Sequence, residues 1–268
     1  MQGDQTDLSR DCLIAEDKKG EIIGFALIFK SFKQYSWWIE SVVVPEYYKS
    51  KLSLKLFESI LDLINKPNVP QILFNVRKFV FLNSPLQTKF KEMGLNPVHY
   101  NFWMRLDDFN SIPNVVSPKD FKFQNEKEIT DFDSYVSVIN DAFSKNLDFT
   151  PYEVEDFKSI HKAAWKEFDI EFWFAFEGKK TVGICNPVIN PDLKHIGIIN
   201  TLAVLHTHHH KGIGSYLLRL GIQSLIKKGC KIIELGVDAD NEKGLNLYRK
   251  FGFYEVESRT NIVYAINI

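Results

Sequence analysis

The same order of strand-like and helix-like segments occurs twice along this chain of 268 residues. In each half, a strand pair joined by a short glycine-containing turn precedes a third strand, a helix, a further strand and a second helix. Matching positions carry the same residue at nearly the same separation, among them Gly24 with Gly183 and Gly94 with Gly252. Self-similarity of this kind is typical of a repeated structural unit. The sequence therefore predicts two copies of one α/β unit, the alternative being two unrelated segments that share a common order.

A polar segment separates the two predicted copies. Residues 107–119 contain Asn, Ser and two prolines and have no regular apolar pattern, which is typical of a linker. We therefore expect a first domain at residues 1–110 and a second domain at residues 116–268. The second copy has an opening strand and two helical segments, between residues 121 and 167, that the first copy lacks. The first domain is accordingly predicted to be truncated.

The charge balance limits the binding partners that we expect, and the cysteines limit the expected cellular compartment. Lys and Arg number 33 against 34 Asp and Glu, which gives a formal charge of −1. Without a net positive field we expect neither a nucleic acid nor an anionic membrane as partner. The three cysteines are too widely spaced for a CxxC pair or a disulfide framework. Together with a polar N-terminal segment and the lack of a long apolar run, this predicts a cytoplasmic protein.

A loop with two glycines joins a strand to a helix in the second copy. Glycines at such a junction let backbone N–H groups approach a ligand closely, and a helix N-terminus adds about half a positive charge. The loop is therefore suited to a pyrophosphate. The strand end, the loop and the first helical residues are Leu202, Ala203, Val204, His209, His210, Lys211, Gly212, Ile213, Gly214 and Ser215.

A second motif follows after one helix and one strand, with Asn241, Gly244, Tyr248, Gly252 and Phe253 at its fixed positions. The loop and this motif, at this separation, resemble the GNAT superfamily of N-acetyltransferases. Members of that superfamily carry an Arg/Gln-x-x-Gly-x-Gly/Ala loop and an Asn-x-x-Ala-x-x-Leu-Tyr-x-x-x-Gly-Phe block. The resemblance is strong over the second half and weak over the first. An intact second copy beside a degenerate first copy is similar to the arrangement in mycothiol synthases.

The resemblance implies two tandem GNAT-like domains, each a mixed, largely antiparallel sheet flanked by helices. It implies acetyl-CoA as co-substrate and direct attack on the thioester by a primary amine of a small molecule or a peptide. Backbone groups of residues 202–204 would pair with the pantetheine arm, residues 209–215 would bind the pyrophosphate, and Asn241 would orient the cofactor. Tyr248 would protonate the departing sulfur, because a phenol is a proton donor at neutral pH. The alternative for Tyr248 is a helix tyrosine that packs on the sheet.

The general base is left open by the sequence. Carboxylates and imidazoles on the expected substrate side include Glu171, His195, Glu234 and Asp238. Each of them has an alternative role as a solvated charge at a strand end. A non-catalytic protein that binds CoA or acyl-CoA is the alternative function, and the oligomeric state is not readable.

Two departures from the family pattern carry expectations of their own. His209 occupies the Arg/Gln position of the loop, which predicts weaker or more pH-sensitive CoA binding because a neutral imidazole is a poor phosphate ligand. In the first copy the loop and tyrosine positions hold Tyr48, Lys51, Ser53 and Phe90. Side chains at the former glycines crowd the loop, and Phe90 has no proton to give. We therefore expect the first copy not to bind CoA and to act as a packing partner or a wall of the substrate cleft.

The loop also contains a run of histidines, His206, His208, His209 and His210. Histidines that share a metal ion alternate along a strand or lie three or four residues apart on a helix. Four histidines within five loop positions do not fit either spacing, so we expect no metal, with a site shared by two of them as the alternative.

Overall fold

The computed structural model describes residues 7–31, 36–47, 51–64, 75–81, 86–146, 149–164, 170–190 and 192–267. Tyr48, named above for the first copy, lies outside them. The elements of the first half are α1 (Leu8–Asp11), β1 (Cys12–Glu16), β2 (Ile22–Ser31), β3 (Ser36–Val43), α2 (Leu52–Ile64), β4 (Asn75–Phe81), α3 (Leu86–Glu92) and β5 (Asn96–Leu106). The elements of the second half are β6 (Lys122–Glu126), α4 (Phe132–Phe143), α5 (Val154–Ala164), β7 (Phe172–Glu177), β8 (Lys180–Ile189), β9 (Ile196–Val204), α6 (Ile213–Lys227), β10 (Ile232–Asp238), α7 (Glu242–Lys250), β11 (Tyr254–Glu255) and β12 (Asn261–Asn267). Among these helices, none is both long and apolar enough to cross a membrane.

The chain divides into two compact units at limits that differ from the predicted domains. Unit 1 comprises Met1–Asn101 and Ser258–Ile268, and unit 2 comprises Phe102–Glu257. The last strand of the chain, β12, therefore belongs to unit 1 rather than to a domain spanning residues 116–268. An apolar pattern identifies β12 as a strand, but the pattern does not tell which sheet the strand joins.

In unit 1 the strands follow the order β1-β2-β3-β4-β12-β5. β3 and β4 are parallel, and the remaining neighbours are antiparallel. Helix α2 has apolar residues three and four positions apart, so that Phe57 and Ile60 share one face and are buried. They join Phe90 of α3 and Tyr264 of β12 in the core of this unit.

In unit 2 the strands follow the order β5-β10-β9-β8-β7-β6, and β11 pairs with the C-terminal part of β5. β9 and β10 are parallel, whereas β6, β7, β8 and β9 form antiparallel pairs. Helices α4 and α6 pack on β8 and β9. Helix α4 starts at Phe132 because the Asp131 side chain accepts a hydrogen bond from the Ser134 N–H at 3.0 Å, which caps the helix. The predicted class, α/β with mixed sheets flanked by helices, is confirmed.

The predicted repeat is visible in how each unit packs its first long helix on the sheet. A Cβ atom added at Gly24 would lie 3.2 Å from Leu56 Cδ1, and one added at Gly183 would lie 2.9 Å from Leu217 Cδ1. Leu56 and Leu217 occupy the same position in α2 and α6. In both units the absence of a side chain on the second strand lets this leucine approach the backbone closely.

The second pair of matching helices, α3 and α7, ends in the same hydrogen-bond pattern. The Leu95 N–H donates to the Phe90 carbonyl at 2.9 Å, and the Phe253 N–H donates to the Tyr248 carbonyl at 3.1 Å. Bonds of this span close the last turn of a helix that ends at a glycine. Phe90 and Tyr248 are thus structurally equivalent, as the sequence spacing predicts.

A β-bulge in β9 marks the point where β9 separates from β10. Asn186 pairs with Thr201 and Pro187 pairs with Ile199, so Asn200 is an extra residue in β9. A proline within a strand has no N–H to donate, and it is therefore found at bulges.

Pairing of β9 with β10 is confined to the start of the two strands. It runs from Ile196–Ile232 to Ile198–Glu234. Residues 199–204 continue along β9 beyond this pairing. A gap therefore opens between the C-terminal parts of these parallel strands.

Candidate active site

A cavity of about 730 Å³ in unit 2 brings together most of the residues that the sequence singles out. It lies where β9 and β10 end and where α6 and α7 begin. The predicted residues that line it are Leu202, Ala203, Val204, His209, His210, Gly212, Ile213, Gly214, Ser215, Asn241 and Tyr248. Lys211 is directed elsewhere, because its Nζ lies 3.8 Å from Glu177 Oε1 and 5.7 Å from the centre of the Phe121 ring.

The backbone of the loop is shaped to present N–H groups to the cavity. Gly212 has φ +80° and precedes α6 without a side chain that could cap the helix. The first N–H groups of a helix have no partner within the helix, so those of α6 remain available to a ligand. His210 has φ +63°, a conformation that costs a non-glycine residue on the order of 1 kcal/mol or more and that clusters at functional sites.

Two histidines fasten the loop to neighbouring elements through their side chains. His206 donates its backbone N–H to Asp141 Oδ2 at 2.6 Å, and its Nδ1 lies 3.0 Å from the same oxygen. Burial tends to raise the pKa of Asp141, but the hydrogen bonds from His206 outweigh burial and lower it. His208 is buried, with Nε2 3.1 Å from Glu177 Oε2 and Nδ1 2.8 Å from Thr207 Oγ1. These contacts hold the loop against α4 and β7.

His209 connects the loop to the end of β9. Its Nε2 lies 3.1 Å from the Val204 carbonyl oxygen, so Nε2 carries the hydrogen and donates it. Burial, together with the positive field of Lys243 and the neighbouring His206 and His210, holds the pKa of His209 below its usual value. The imidazole is therefore neutral at pH 7, and its second nitrogen is an acceptor rather than a phosphate donor.

Tyr248 lies on α7 with its side chain directed into the protein. The residue is 8% exposed and lines the cavity, and its ring contacts Phe253 with centroids 6.0 Å apart. Burial raises the pKa of the phenol, so it holds its proton at neutral pH. Tyr248 therefore packs in the core, as the alternative expects, and also lines the cavity, which is compatible with its predicted role as the acid.

Asn241 is the N-cap of α7. Its Oδ1 accepts a hydrogen bond from the Gly244 N–H at 2.9 Å. A Cβ atom added at Gly244 would lie 2.7 Å from Asn241 Nδ2 and 2.9 Å from Asn241 Cγ. Glycine at the alanine position of the family motif therefore leaves room for this cap.

The four candidate bases occupy different places in unit 2. Glu171 forms an ion pair with Lys228 at 3.1 Å and a short hydrogen bond with Ser224, and these two partners outweigh burial and lower its pKa. His195 is exposed before β9 and offers its carbonyl to the start of β10. Of the four, only Asp238 lines the cavity, and Glu234 is buried on the same strand, four residues before it.

Sequence reasoning missed the wall that α4 and the turn after it contribute. Ala142, Phe143, Lys145 and Asn146 line the cavity, as does Lys243 of α7. Lys145 and Lys243 are exposed and bring positive charge to the cavity. Lys243 is two residues from Asn241 and could have been inferred from the motif, but nothing in the sequence connects α4 with the loop.

Comparison with known proteins defines the class. The model of the acetyltransferase (GNAT) family matches residues 136–253, a segment that contains the cavity-lining residues named above. A mycothiol acetyltransferase of Catenulispora acidiphila is 22% identical over 240 residues, covering 87% of this chain and 74% of the relative. An N-alpha-acetyltransferase of Sulfurisphaera tokodaii is 26% identical over 149 residues, covering 52% of this chain and 83% of the relative. Alignments with two other mycothiol acetyltransferases cover 51% and 41% of those relatives.

Among solved structures, a tandem GNAT protein from the clavulanic acid biosynthesis pathway is similar in fold. Its TM-score is 0.71 at 12% sequence identity, and the match covers 94% of this chain and 81% of that protein. The chain has the fold of a tandem GNAT protein, and its matched segment and its relatives indicate an acyltransferase. The match to the acetyltransferase (GNAT) family is confined to residues 136–253.

Proposed function

We propose that unit 2 moves the acetyl group of acetyl-CoA to a primary amine by direct attack, and that unit 1 has a structural role. The observation that carries this proposal is the cavity, in which the glycine loop, the free edge of β9 and Tyr248 meet. Each of these features supplies one requirement of the reaction. The amine belongs to a small molecule or to a peptide, as in the two kinds of relative named above.

The loop meets the requirement for holding the pyrophosphate. Backbone N–H groups of residues 210–215 at the start of α6 offer donors, and a helix N-terminus favours an anion. Lys145 and Lys243 add the charged side chains that neutral His209 does not provide. The side chain of Lys211 has no part in this proposal, because it lies at Glu177.

The gap between β9 and β10 meets the requirement for the pantetheine arm. Residues 199–204 lie beyond the pairing with β10, so the β10-facing edge of β9 is available there except at the Val204 carbonyl, which accepts from His209 Nε2. The two amides of pantetheine can pair with this edge as an added strand would. Leu202, Ala203 and Val204 line the cavity along this edge.

Tyr248 meets the requirement for an acid. When the amine nitrogen attacks the acetyl carbonyl carbon, the C–S bond breaks and the electron pair leaves on sulfur. A phenol that keeps its proton at neutral pH, as burial ensures here, can protonate that sulfur. The products are the amide and the free thiol of CoA.

Unit 1 has the fold of the repeat without these features. Phe90, the counterpart of Tyr248, is fully buried and has no hydroxyl group. The centroid of its ring lies 4.5 Å from the centroid of the Phe57 ring. Ser53 stands within α2 where Gly214 stands in α6, and Lys51 is exposed just before α2. We infer that unit 1 does not hold CoA in the way that unit 2 does.

An acetylation screen tests the proposal. The purified chain is incubated with acetyl-CoA and a panel of amines that includes glucosamine, an α-amino acid amide, a polyamine and a short peptide with a free N-terminus. Thiol release and product mass are measured, with the Tyr248→Phe variant as control. We expect acetylated product from at least one amine and a slower rate for the variant. Thioester hydrolysis at the uncatalysed rate with every amine would contradict the proposal.

A further inference from the structure

The proposed reaction needs a group that removes a proton from the amine, and the gap between β9 and β10 limits where that group can lie. A primary amine is largely protonated at neutral pH and attacks only after losing a proton. If pantetheine runs along residues 199–204 from the loop, the thioester lies toward the closed end of the gap. Strand geometry makes that run about 20 Å long. The closed end is the last β9–β10 pair, Ile198 with Glu234.

Glu234 lies on the face of the sheet opposite α6. Its neighbour Ile233 pairs with Gly197, and a Cβ added at Gly197 would lie 2.8 Å from Leu225 of α6. Successive residues of a strand point to opposite faces, so Glu234 and its partner Ile198 share the other face. The loop and the start of α6 would hold the cofactor from one side, which leaves the face of Glu234 for the amine.

The carboxylate of Glu234 is buried and hydrogen-bonded rather than solvated. It is 2% exposed, and its Oε1 accepts from Arg105 Nε at 3.0 Å and from Arg105 Nη2 at 2.7 Å. The hydrogen bond to Glu234 raises the pKa of the guanidinium. The paired guanidinium favours the ionised form of this buried carboxylate and fixes its position.

We propose that Glu234 is the catalytic base of the acetyl transfer and that Arg105 is its positioning residue. The carboxylate takes one proton from the ammonium group, the freed nitrogen forms the C–N bond, and the C–S bond breaks. Tyr248 gives its proton to the sulfur. The acylated nitrogen still carries two hydrogens and gives one of them to the tyrosinate, and Glu234 releases its proton to solvent, so the net products are amide, CoA thiol and one proton. This inference rests on the proposed function and assigns the residue that the sequence leaves open.

The experiment compares Glu234→Gln with Glu171→Gln, a matched loss of a carboxylate that also pairs with a cation but lies just before β7 rather than at the closed end of the gap between β9 and β10. The probe is the amine with the highest wild-type rate in the screen. We expect Glu234→Gln to lower kcat by about 100-fold or more while the Kd of acetyl-CoA changes less than about threefold. Glu171→Gln is expected to keep the wild-type kcat.

Arg105→Gln and the double variant Ile198→Glu/Glu234→Gln separate a catalytic role from a structural one. Without the guanidinium the buried carboxylate is harder to ionise, so we expect the acid limb of the kcat/KM profile to move up by about one pH unit. The double variant places a carboxylate on the paired residue of the same face, and we expect it to regain part of the lost kcat.

A Glu234→Gln variant with kcat within about threefold of wild type overturns the inference. If this variant instead loses stability and acetyl-CoA binding together, the acid limb of Arg105→Gln decides, and an unmoved limb overturns the inference. A wild-type protein that acetylates no amine refutes the proposed function itself, which distinguishes the two failures.

Discussion

Asn241, which caps α7, and the nearby Gly244 provide a test of the site geometry. For the substitution Gly244→Ala, the family pattern predicts a gain in stability, whereas the structure predicts none. The family motif has alanine where this chain has Gly244, and alanine favours a helix over glycine by about 1 kcal/mol. On that basis Gly244→Ala should stabilise the protein. In the structure, however, the new Cβ would lie 2.7 Å and 2.9 Å from side-chain atoms of Asn241. The substitution therefore displaces the cap, whose loss costs about 1 kcal/mol.

These two effects oppose each other, so we expect Gly244→Ala to change stability by less than about 0.5 kcal/mol. In an Asn241→Ala background there is no cap to lose, and the same substitution should stabilise by about 1 kcal/mol. The double-mutant cycle is therefore expected to show a coupling of about 1 kcal/mol. Scanning calorimetry of the four proteins measures it, since 1 kcal/mol corresponds to a Tm shift of about 3 °C in a unit of this size. Additive effects of the two substitutions would refute the reasoning.

A substitution at Asn241 can distinguish two roles of this residue, the capping of α7 and a direct contact with the cofactor. Asp caps a helix about as well as Asn but cannot donate a hydrogen bond from its ionised side chain. If Asn241 acts on the cofactor only by holding the start of α7, Asn241→Asp keeps the Tm and the Kd of acetyl-CoA. A weaker Kd at unchanged Tm would show that the amide itself contacts the cofactor.

Three further predictions concern the loop and the acid. Gly212→Val forces a β-branched residue to φ +80° and should weaken acetyl-CoA binding at least tenfold, as measured by titration calorimetry. A Cβ atom added at Gly214 would meet only ordinary contacts, at 3.7 Å and 3.8 Å, so Gly214→Ala should keep the Tm of the free protein in scanning calorimetry. Tyr248→Phe should leave the Kd of acetyl-CoA nearly unchanged and lower kcat about 100-fold in the thiol-release assay, and an unchanged kcat would place the acid elsewhere. The pKa of His209 is lowered in the free protein, and a bound phosphate favours the imidazolium, so dephospho-CoA should bind more tightly as the pH falls from 8 to 6. Titration in two buffers should show the accompanying proton uptake. In His209→Gln this pH dependence should disappear, and its persistence would show that His209 is not the group that takes up the proton.

Local sequence signals predict the repeated unit well because they reflect local packing. Gly24 and Gly183 are needed where a helix leucine approaches a strand, and such a requirement leaves the same residue in both copies. The helix ends after Phe90 and Tyr248 likewise depend on a few neighbouring residues. For the same reason the loop and motif of unit 2 identify most of the cavity wall.

Features that depend on distant segments are not readable from one sequence. β12 has the pattern of a strand, but its place between β4 and β5 depends on which edges are free. The partners of the histidine run, Asp141 and Glu177, lie on elements far from the loop in sequence. The side chain of Lys211 turns toward Glu177 for the same kind of reason, and spacing alone predicts none of these contacts.

The central claim is that one unit of the repeat holds acetyl-CoA and the other does not. Isothermal titration with acetyl-CoA measures this most directly, using wild type, Gly214→Val and the matching change in unit 1, Ser53→Val. The account predicts one site per chain, lost in Gly214→Val and retained in Ser53→Val. Two equal sites per chain, or loss of binding in Ser53→Val with retention in Gly214→Val, would contradict it.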